Sequence, residues 1–189
     1  MAKKTKKADV SPRAMVGSVP VWCVHDKIVD CIELVMNPKN PNTHPAKQIE
    51  LLGKIISNQG WRAPITVSNR SGFIVKGHGR LEAAFKAGIE KAPVDYQDYE
   101  SEAAEHADMV ADNKLADLAE FNNDKLSELL SDLKVLDIDM ELTAFDPNEI
   151  DEITSPNMVD PPGEGAGQPK EVECPQCGEI FIPIRKETK

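Results

Sequence analysis

Four consecutive residues, Gly77, His78, Gly79 and Arg80, have the side chains and spacing of an anion-binding turn in the stretch FIVKGHGRLEAAFKAG. Glycines lack a Cβ, so the backbone of this GHGR turn can approach an anion closely. An arginine in the first turn of a helix can hold two phosphate oxygens with its planar guanidinium. The helix N-terminus adds unpaired N–H groups and a partial positive charge. The turn is therefore a candidate phosphate site, in which His78 can donate a hydrogen bond or move a proton.

A simpler interpretation of the GHGR turn is a strand-to-helix connection that needs glycines and exposes Arg80 to solvent. Short glycine motifs match by chance often, so the turn alone leaves both interpretations open. The decision depends on the residues that surround it.

A second set of reactive side chains lies in the stretch ECPQCGEIF. Cys174 and Cys177 have the spacing of a zinc knuckle, which supplies two of the four ligands of a tetrahedral site. The other two ligands would come from a second subunit or from Cys23, His25 and Cys31. For Cys31 a buried thiol within a strand is the simpler interpretation. The chain shows no signal peptide, so thiols or metal ligands are favoured over disulfides.

Hydrophobic periodicity predicts the elements that position these residues. Four strands are expected, at residues 27–34, 64–68, 73–76 and 92–96. Helices are expected between Pro45 and Gly60, directly after the GHGR turn, and at residues 102–118 and 124–133. The GHGR turn thus connects a short strand to an amphipathic helix.

Charge is distributed unevenly along the 189 residues. Residues 1–91 contain 15 Lys or Arg and 7 Asp or Glu, whereas residues 92–189 contain 7 and 25, so the net charges are +8 and −18. The first half therefore suits an anion such as a nucleotide or DNA, and the second half repels one. No apolar run reaches the ~18 residues that cross a bilayer, which predicts a cytoplasmic protein rather than a membrane or secreted one.

Composition predicts four regions along the chain. They are a disordered basic tail (1–20), a folded domain with an acidic helical extension (21–150), a flexible linker rich in Pro, Gly and acidic residues (151–170) and a CxxC knuckle-like tail (171–189). The DPPG sequence at residues 160–163 is assigned to the linker, because it lacks the aromatic residue and the cofactor-binding unit of an amino-methyltransferase.

The segments NPKNPNTHPAKQIELLGKIISNQGWRAPITV, GHGR and HADMVADNKLADLAEF occur in this order in the chain. Together they resemble the ParB/sulfiredoxin-like superfamily, specifically the ParB-like nuclease (ParB N-terminal-like) domain common in phages and mobile elements. The resemblance covers residues 27–150. It implies a small α+β fold with a mixed sheet and packed helices, which binds CTP in ParB-type members and ATP or ADP in related ones.

The resemblance also implies which residues bind the nucleotide. They are Asn37, Pro38, Lys39 and Asn40 (the NPKN loop), the GHGR turn, and Asp112, Asn113 and Lys114 (the DNK box). Arg80 and the backbone amides near Gly79 would hold phosphates, and Asp112 and Asn113 would position Mg²⁺ or its waters. Glu33, Glu82 and His78 are candidates for a general base, although the two glutamates fit a surface role equally well.

The sequence departs from several members of the superfamily. The turn has no cysteine, which argues against sulfiredoxin activity. Lys76 and a single His78 replace the acidic residue and two histidines of the free-serine kinases. Residues 92–169 contain only three Lys or Arg, so we do not expect the DNA-reading helix-turn-helix that follows this domain in centromere-binding ParB proteins.

Three functions remain open at this stage. The favoured one is a CTP- or ATP-binding switch or accessory factor in DNA modification, replication or packaging for a phage or mobile element in a bacterial host cell. Its partners would be DNA, through the N-terminal half, and a separate DNA methyltransferase or terminase. A DNA nuclease or ATPase on the same fold is the first alternative. The second is a non-catalytic module that binds a partner through its acidic helices and CxxC tail.

Elemental analysis of the purified protein tests the zinc knuckle. If a homodimer shares one tetrahedral site through Cys174 and Cys177, protein prepared in chelator-free buffer should contain one zinc atom per two chains. A zinc content well below that ratio would contradict the shared site.

Overall fold

The computed structural model describes residues 11–136 and 138–155, together with two short strands near the C-terminus. The chain divides into two units, Met1–Ile153 and Thr154–Lys189. Residues 1–10 of the predicted basic tail lie outside the described residues.

The described part of the chain combines short strands with α-helices. The first six strands are β1 (Ala14–Val16), β2 (Val19–Val21), β3 (Lys27–Asp30), β4 (Ile65–Ser68), β5 (Ile74–Lys76) and β6 (Lys91–Gln97). The helices are α1 (Ala46–Gln59), α2 (His78–Lys86), α3 (Glu102–Asp117), α4 (Asn123–Val135) and α5 (Pro147–Thr154). Short 3-10 helices lie at Cys31–Glu33 and Met140–Thr143. The predicted α+β fold with a small mixed sheet and packed helices is confirmed.

The central sheet has four strands in the order β3-β6-β4-β5. Strands β4 and β6 are parallel, whereas β3 with β6 and β4 with β5 are antiparallel. Two parallel neighbours require a crossover connection, which β5 and α2 provide here. The GHGR turn lies within this crossover, where the chain leaves the edge strand and enters the helix.

A β-hairpin of β1 and β2 precedes the sheet. Val16, Val19 and Val21 are buried in the core, and Val21 forms an isolated bridge with Trp61. The prediction of a disordered tail over residues 1–20 was therefore wrong for residues 14–20. These strands of three residues are too short to show periodicity, and they become ordered by contacts with distant parts of the chain.

The core lies between the central sheet and helices α1 and α2. Helix α1 begins after Pro45 and ends at Gly60, as the positions of these two residues predicted. The buried apolar side chains include Ile49, Ile56, Trp61, Ile65, Ile74, Leu81, Ala84 and Val94. Because α1 and α2 share this core with β4, the start of α2 is held rigidly against the sheet.

Helix α3 is joined to the sheet through a buried carboxylate, Glu105. Glu105 accepts hydrogen bonds from Ser68 Oγ at 2.7 Å, Ser71 Oγ at 2.8 Å and Arg70 Nε at 3.1 Å. Burial raises the pKa of Glu105, but the three donors and the Arg70 charge outweigh it and hold the pKa below its usual value. The β4–β5 turn therefore also fixes the first turns of α3.

After Met109, the last buried residue of α3, most apolar side chains are exposed, although Leu130 and Ile150 are buried. The exposed apolar side chains in this part include Val110, Leu115, Leu118, Phe121, Leu129 and Leu136. Helix α5, which the sequence pattern did not predict, runs to Thr154, so residues 151–154 of the predicted linker are helical. Residues 156–170 of that linker lie outside the described residues. None of the described helices is long and apolar enough to cross a membrane.

In the second unit, strands β7 (Val172–Glu173) and β8 (Ile180–Phe181) pair antiparallel with each other. Cys174 and Cys177, and with them the predicted zinc knuckle, lie outside the described residues.

We expect Glu105→Ala to lower the free energy of unfolding by about 3 kcal/mol, because three donors would lose their buried acceptor and Arg70 its charge partner. Urea unfolding at neutral pH, followed by circular dichroism, measures this loss. Glu120→Ala is the control, since it removes an exposed carboxylate and should change stability by less than about 0.5 kcal/mol. Equal stabilities of the two variants would show that Glu105 does not anchor the helix.

Candidate functional site

A cavity of about 230 Å³ opens at the N-terminus of α2. Its wall contains Asn40, His44, Leu52, Val75, Lys76, Gly77, His78, Gly79, Arg80 and Asn113. The structure thus places the GHGR turn beside one residue of the NPKN loop and one of the DNK box. A larger cavity of about 320 Å³ lies between α1 and residues 141–147, but both of its cations are already paired, Lys47 with Asp146 and Lys54 with Asp139 and Glu141.

The two glycines of the GHGR turn make room for other side chains. Gly77 has a φ of +96°, in the left-handed region, and is the N-cap of α2. A Cβ at Gly77 would lie 2.8 Å from Nη1 of Arg80, and one at Gly79 would lie 3.1 Å from Cε1 of His44. The N–H groups of the next three residues begin the helix, so they have no carbonyl partner one turn earlier. A left-handed N-cap followed by free amides is suited to an anion.

Arg80 carries the positive charge of this wall. Its Nη1 donates a hydrogen bond to the carbonyl oxygen of Pro64 at 2.9 Å, the one hydrogen bond that the guanidinium makes within the described chain. No carboxylate of the described residues lies within 4.0 Å of it. Burial lowers the pKa of Arg80, and the charge of Asp112 partly offsets that effect. A partly buried guanidinium without a carboxylate partner is stabilised when an anion binds.

His78 connects the GHGR turn to the NPKN loop. Its side chain is buried, and the backbone N–H of Asn37 donates to its Nε2 at 3.3 Å. Burial lowers the pKa of His78, and the neighbouring His44 lowers it further. The ring is therefore neutral at neutral pH, with Nε2 as an acceptor. This nitrogen is already occupied, so it is not available to take a proton from a bound molecule.

The NPKN loop folds on itself behind the cavity. Asn37 is buried, its Oδ1 accepts from the N–H of Lys39 at 2.9 Å, and its carbonyl oxygen accepts from the N–H of Asn40 at 3.0 Å. This tight turn brings Asn40 into the wall. Lys39 is directed elsewhere, since its Nζ lies 2.6 Å from Oε1 of Glu102 at the start of α3.

The remaining predicted site residues lie partly in the wall and partly outside it. Of the DNK box, Asn113 lines the cavity, Asp112 lies with Oδ1 3.8 Å from Nζ of Lys76, and Lys114 is exposed. Glu33 is exposed in the first 3-10 helix, and Glu82 is half-buried in α2. The structure therefore gathers Asn40, the GHGR turn and Asn113 but does not bring either candidate glutamate to the cavity.

Two polar wall residues, His44 and Lys76, were not assigned to the site from the sequence. The His44 ring lies over Gly79, and its Nδ1 is 3.1 Å from Oε1 of Gln48. Lys76 immediately precedes the GHGR turn and forms an ion pair with Asp108 of α3. The position of Lys76 next to the GHGR turn was the sequence signal that could have assigned it to the site. Only the fold shows that it belongs to the cavity wall.

Within the described residues no group of three or more His, Cys, Asp or Glu is placed to hold a metal ion. Cys23 and Cys31 are both free thiols there, and Cys31 is buried. Burial, with a smaller effect from Asp30, raises the pKa of Cys31 to about 11. Cys31 therefore stays a neutral thiol at neutral pH, as its buried-thiol interpretation requires. It lies in the first 3-10 helix, however, and not within the strand predicted over residues 27–34, which ends at Asp30.

Residues 124–179 match a family model described as the ParB-methyltransferase HTH domain. This part of the chain is similar to a ParB-associated domain. The match supports the predicted ParB-like superfamily, although it begins after the NPKN, GHGR and DNK segments, and the phage or mobile-element type stays a prediction. No curated protein matches the chain.

Solved structures of ParB proteins are similar to this ParB-like chain. The C-terminally truncated chromosome-partitioning protein ParB from Caulobacter crescentus, complexed with CTP-gamma-S, has 25% identity, a TM-score of 0.48, and coverage of 68% of this chain and 69% of that one. The same truncated protein complexed to the centromeric parS site has 22% identity, a TM-score of 0.41 and coverage of 68% and 64%. A Pnob8-like ParB-N domain has 13% identity, a TM-score of 0.39 and coverage of 58% and 46%.

The family match corrects one expectation from the sequence. We did not expect a helix-turn-helix region, yet the matched model is of that type and covers α4, α5 and residues beyond them. The expectation relied on charge, which is indeed unusual for a DNA reader. Residues 124–179 contain 15 Asp or Glu and 3 Lys or Arg, a net charge of −12. Charge reports on affinity for phosphate and not on fold, so it could not exclude a helix-turn-helix.

The lowered pKa of His78 predicts a pH dependence of stability. A histidine whose folded pKa lies below its unfolded value of about 6.5 contributes stability above that pH and loses it as the pH falls. Chemical unfolding should therefore show a smaller drop in stability between pH 7.5 and 5.5 for His78→Gln than for the wild type. The variant should also lose about 1 kcal/mol at pH 7.5, through its weakened bond to Asn37. His25→Gln, which changes a ring outside the cavity wall, should keep the wild-type pH dependence.

Proposed function

We propose that this ParB-like chain binds a nucleoside triphosphate, CTP or ATP, in the cavity at the N-terminus of α2. The observation that carries the proposal is the Arg80 guanidinium, which is partly buried and has no carboxylate within 4.0 Å among the described residues. It lies beside helix N–H groups that have no intrahelical partner. Phosphate oxygens satisfy the charge and these donors together.

The remaining wall residues suit the other parts of such a ligand. The side-chain amide of Asn113 in the wall has a donor and an acceptor for polar groups of a sugar or base. The side-chain amide of Asn40 is bonded to the backbone of Asn42, donating to its carbonyl oxygen at 3.4 Å and accepting from its N–H at 3.3 Å. Asp112 and Asn113 would hold Mg²⁺ or its waters, and the ion would neutralise part of the phosphate charge. The Pro64 carbonyl, the acceptor for Arg80, keeps the guanidinium at the wall while its other N–H groups stay available for phosphate.

The proposed role is a nucleotide-dependent switch or accessory factor in DNA modification, replication or packaging of a phage or mobile element, in the cytoplasm of a bacterial host. The description of the matched family joins ParB with methyltransferase, which supports the DNA-modification branch and a methyltransferase as partner. Contact with DNA is proposed for the N-terminal half, which carries a net charge of +8. Residues 124–179 carry a net charge of −12, so we expect this segment to bind the DNA backbone poorly.

Hydrolysis of the nucleotide or cleavage of DNA is the alternative function. Besides the Mg²⁺ that nucleotide binding would already use, either reaction needs a residue close to the phosphate that activates or orients the attacking group. Nε2 of His78 already accepts a hydrogen bond, and neither Glu33 nor Glu82 belongs to the cavity wall. Nucleotide binding is therefore better supported than either reaction.

Thermal unfolding with a nucleotide panel tests the proposal. At a ligand concentration of about 100 Kd, CTP or ATP with Mg²⁺ should stabilise the protein by about 2.7 kcal/mol and raise Tm by roughly 5–10 °C. Arg80→Ala should abolish the rise, because the phosphates lose their side-chain cation. Arg62→Ala removes the same charge from an exposed arginine that stacks on Trp22, outside the wall, and should keep the rise.

Four outcomes separate the proposed functions. Loss of the rise in Arg80→Ala alone supports the nucleotide site, and an equal loss in Arg62→Ala would point to general charge instead. No rise with any nucleotide would favour the partner-binding module. Phosphate release or plasmid nicking that disappears in Arg80→Ala would establish the enzymatic alternative.

A further inference from the structure

Lys76 is the second cation of the cavity wall, and it is engaged with α3. It is the last residue of β5, directly before the GHGR turn, and it is one of the residues of the cavity wall. Its Nζ lies 3.0 Å from Oδ1 of Asp108 and 3.8 Å from Oδ1 of Asp112. The two carboxylates are four residues apart, so they lie on one face of the helix.

Asp108 is a fixed partner and not a mobile one. The hydroxyl of Tyr99 donates to its Oδ2 at 2.8 Å, while Lys76 binds its Oδ1. Burial raises the pKa of Asp108, but these two hydrogen bonds and the lysine charge outweigh it and keep the carboxylate ionised. Glu105, one turn earlier, holds the same part of α3 against the β4–β5 turn. The helix therefore keeps its carboxylates beside the cavity.

The ammonium group of Lys76 has two competing partners, the carboxylate of Asp108 and an anion in the cavity. Its ammonium is a compact point charge on a flexible stem, unlike the planar guanidinium of Arg80, which is bonded to a carbonyl. About a quarter of its side chain (28%) is exposed, so the lysine is not enclosed by the core. A polyanion in the cavity would compete with Asp108 for the same charge.

We infer that Lys76 is a phosphate-binding residue of the proposed nucleotide site, and that Asp108 competes with the nucleotide for it. The inference rests on the proposed function, since it concerns the same cavity. When Lys76 binds a phosphate, Asp108 loses its ion pair and faces the ligand as a like charge. Asp108 therefore weakens nucleotide binding twice, by holding the lysine and by repelling the ligand.

Isothermal titration with CTP-gamma-S, ATP-gamma-S and inorganic tripolyphosphate tests the competition. Lys76→Met keeps the aliphatic stem and should weaken binding about tenfold, the effect of losing one charge-assisted contact. Asp108→Asn keeps an acceptor for Tyr99 and should tighten binding roughly three- to tenfold. In the Lys76→Met background Asp108→Asn should have a smaller effect, because only the repulsion remains to be removed.

Two variants serve as matched controls. Lys86→Met removes a lysine at the other end of α2 that pairs with Glu50 on the surface, and Asp117→Asn removes an exposed carboxylate farther along α3. Both should bind like the wild type. Comparable changes in the controls would assign the effects to net charge and overturn the inference.

The remaining outcomes distinguish the inference from the proposed function. Nucleotide binding that is unchanged in Lys76→Met, or weakened in Asp108→Asn, overturns the inference and leaves the nucleotide site in place. Absence of binding of all three ligands to wild type and Asp108→Asn overturns both. If a melting curve shows that Asp108→Asn does not fold, ligand binding by Lys76→Met alone still tests the inference.

Discussion

The cavity depends on the left-handed backbone of Gly77, where β5 passes into α2. That conformation turns the chain sharply enough for α2 to begin beside the sheet, so its first N–H groups face an open space. The absence of a Cβ leaves room for the Arg80 guanidinium to reach the carbonyl of Pro64. A side chain at this position would meet both a conformational penalty and the guanidinium itself. The site therefore depends on the glycine as much as on the arginine.

Around this turn, polar contacts fix α3 to three separate parts of the fold. Lys39 pairs with Glu102, the β4–β5 turn binds Glu105, and Lys76 binds Asp108. These acidic residues occupy the first two turns of the helix, so its position is determined by groups at or next to the cavity. The second half of α3 and the following α4 instead expose apolar side chains. A helix that is anchored at one end beside the cavity and lightly packed at the other has an uneven local stability.

Charge and fold give separate information about this ParB-like chain. The basic half contains the cavity, whereas the region matched to a helix-turn-helix model is strongly acidic. A segment can keep the packing of a DNA-binding module without its phosphate affinity, because the packing depends on apolar residues such as Leu130 and Ile150, which are buried here. The affinity depends on surface lysines and arginines, and this region has few of them.

The sequence by itself determined the local features of this protein. Proline and glycine placed the ends of α1, the GHGR residues marked the start of α2, and the resemblance of three short segments identified a ParB-like chain with an α+β fold. These signals are local because backbone preferences and helix ends depend on a few neighbouring residues.

Only the tertiary structure decided which side chains share the cavity. It brought Lys76 and His44 to the wall, turned Lys39 toward Glu102, and occupied Nε2 of His78 with a backbone N–H from a residue 41 positions earlier. It also ordered the β1–β2 hairpin against Trp61. Such contacts join residues far apart in sequence, and side-chain direction within a wall depends on packing that no short motif encodes.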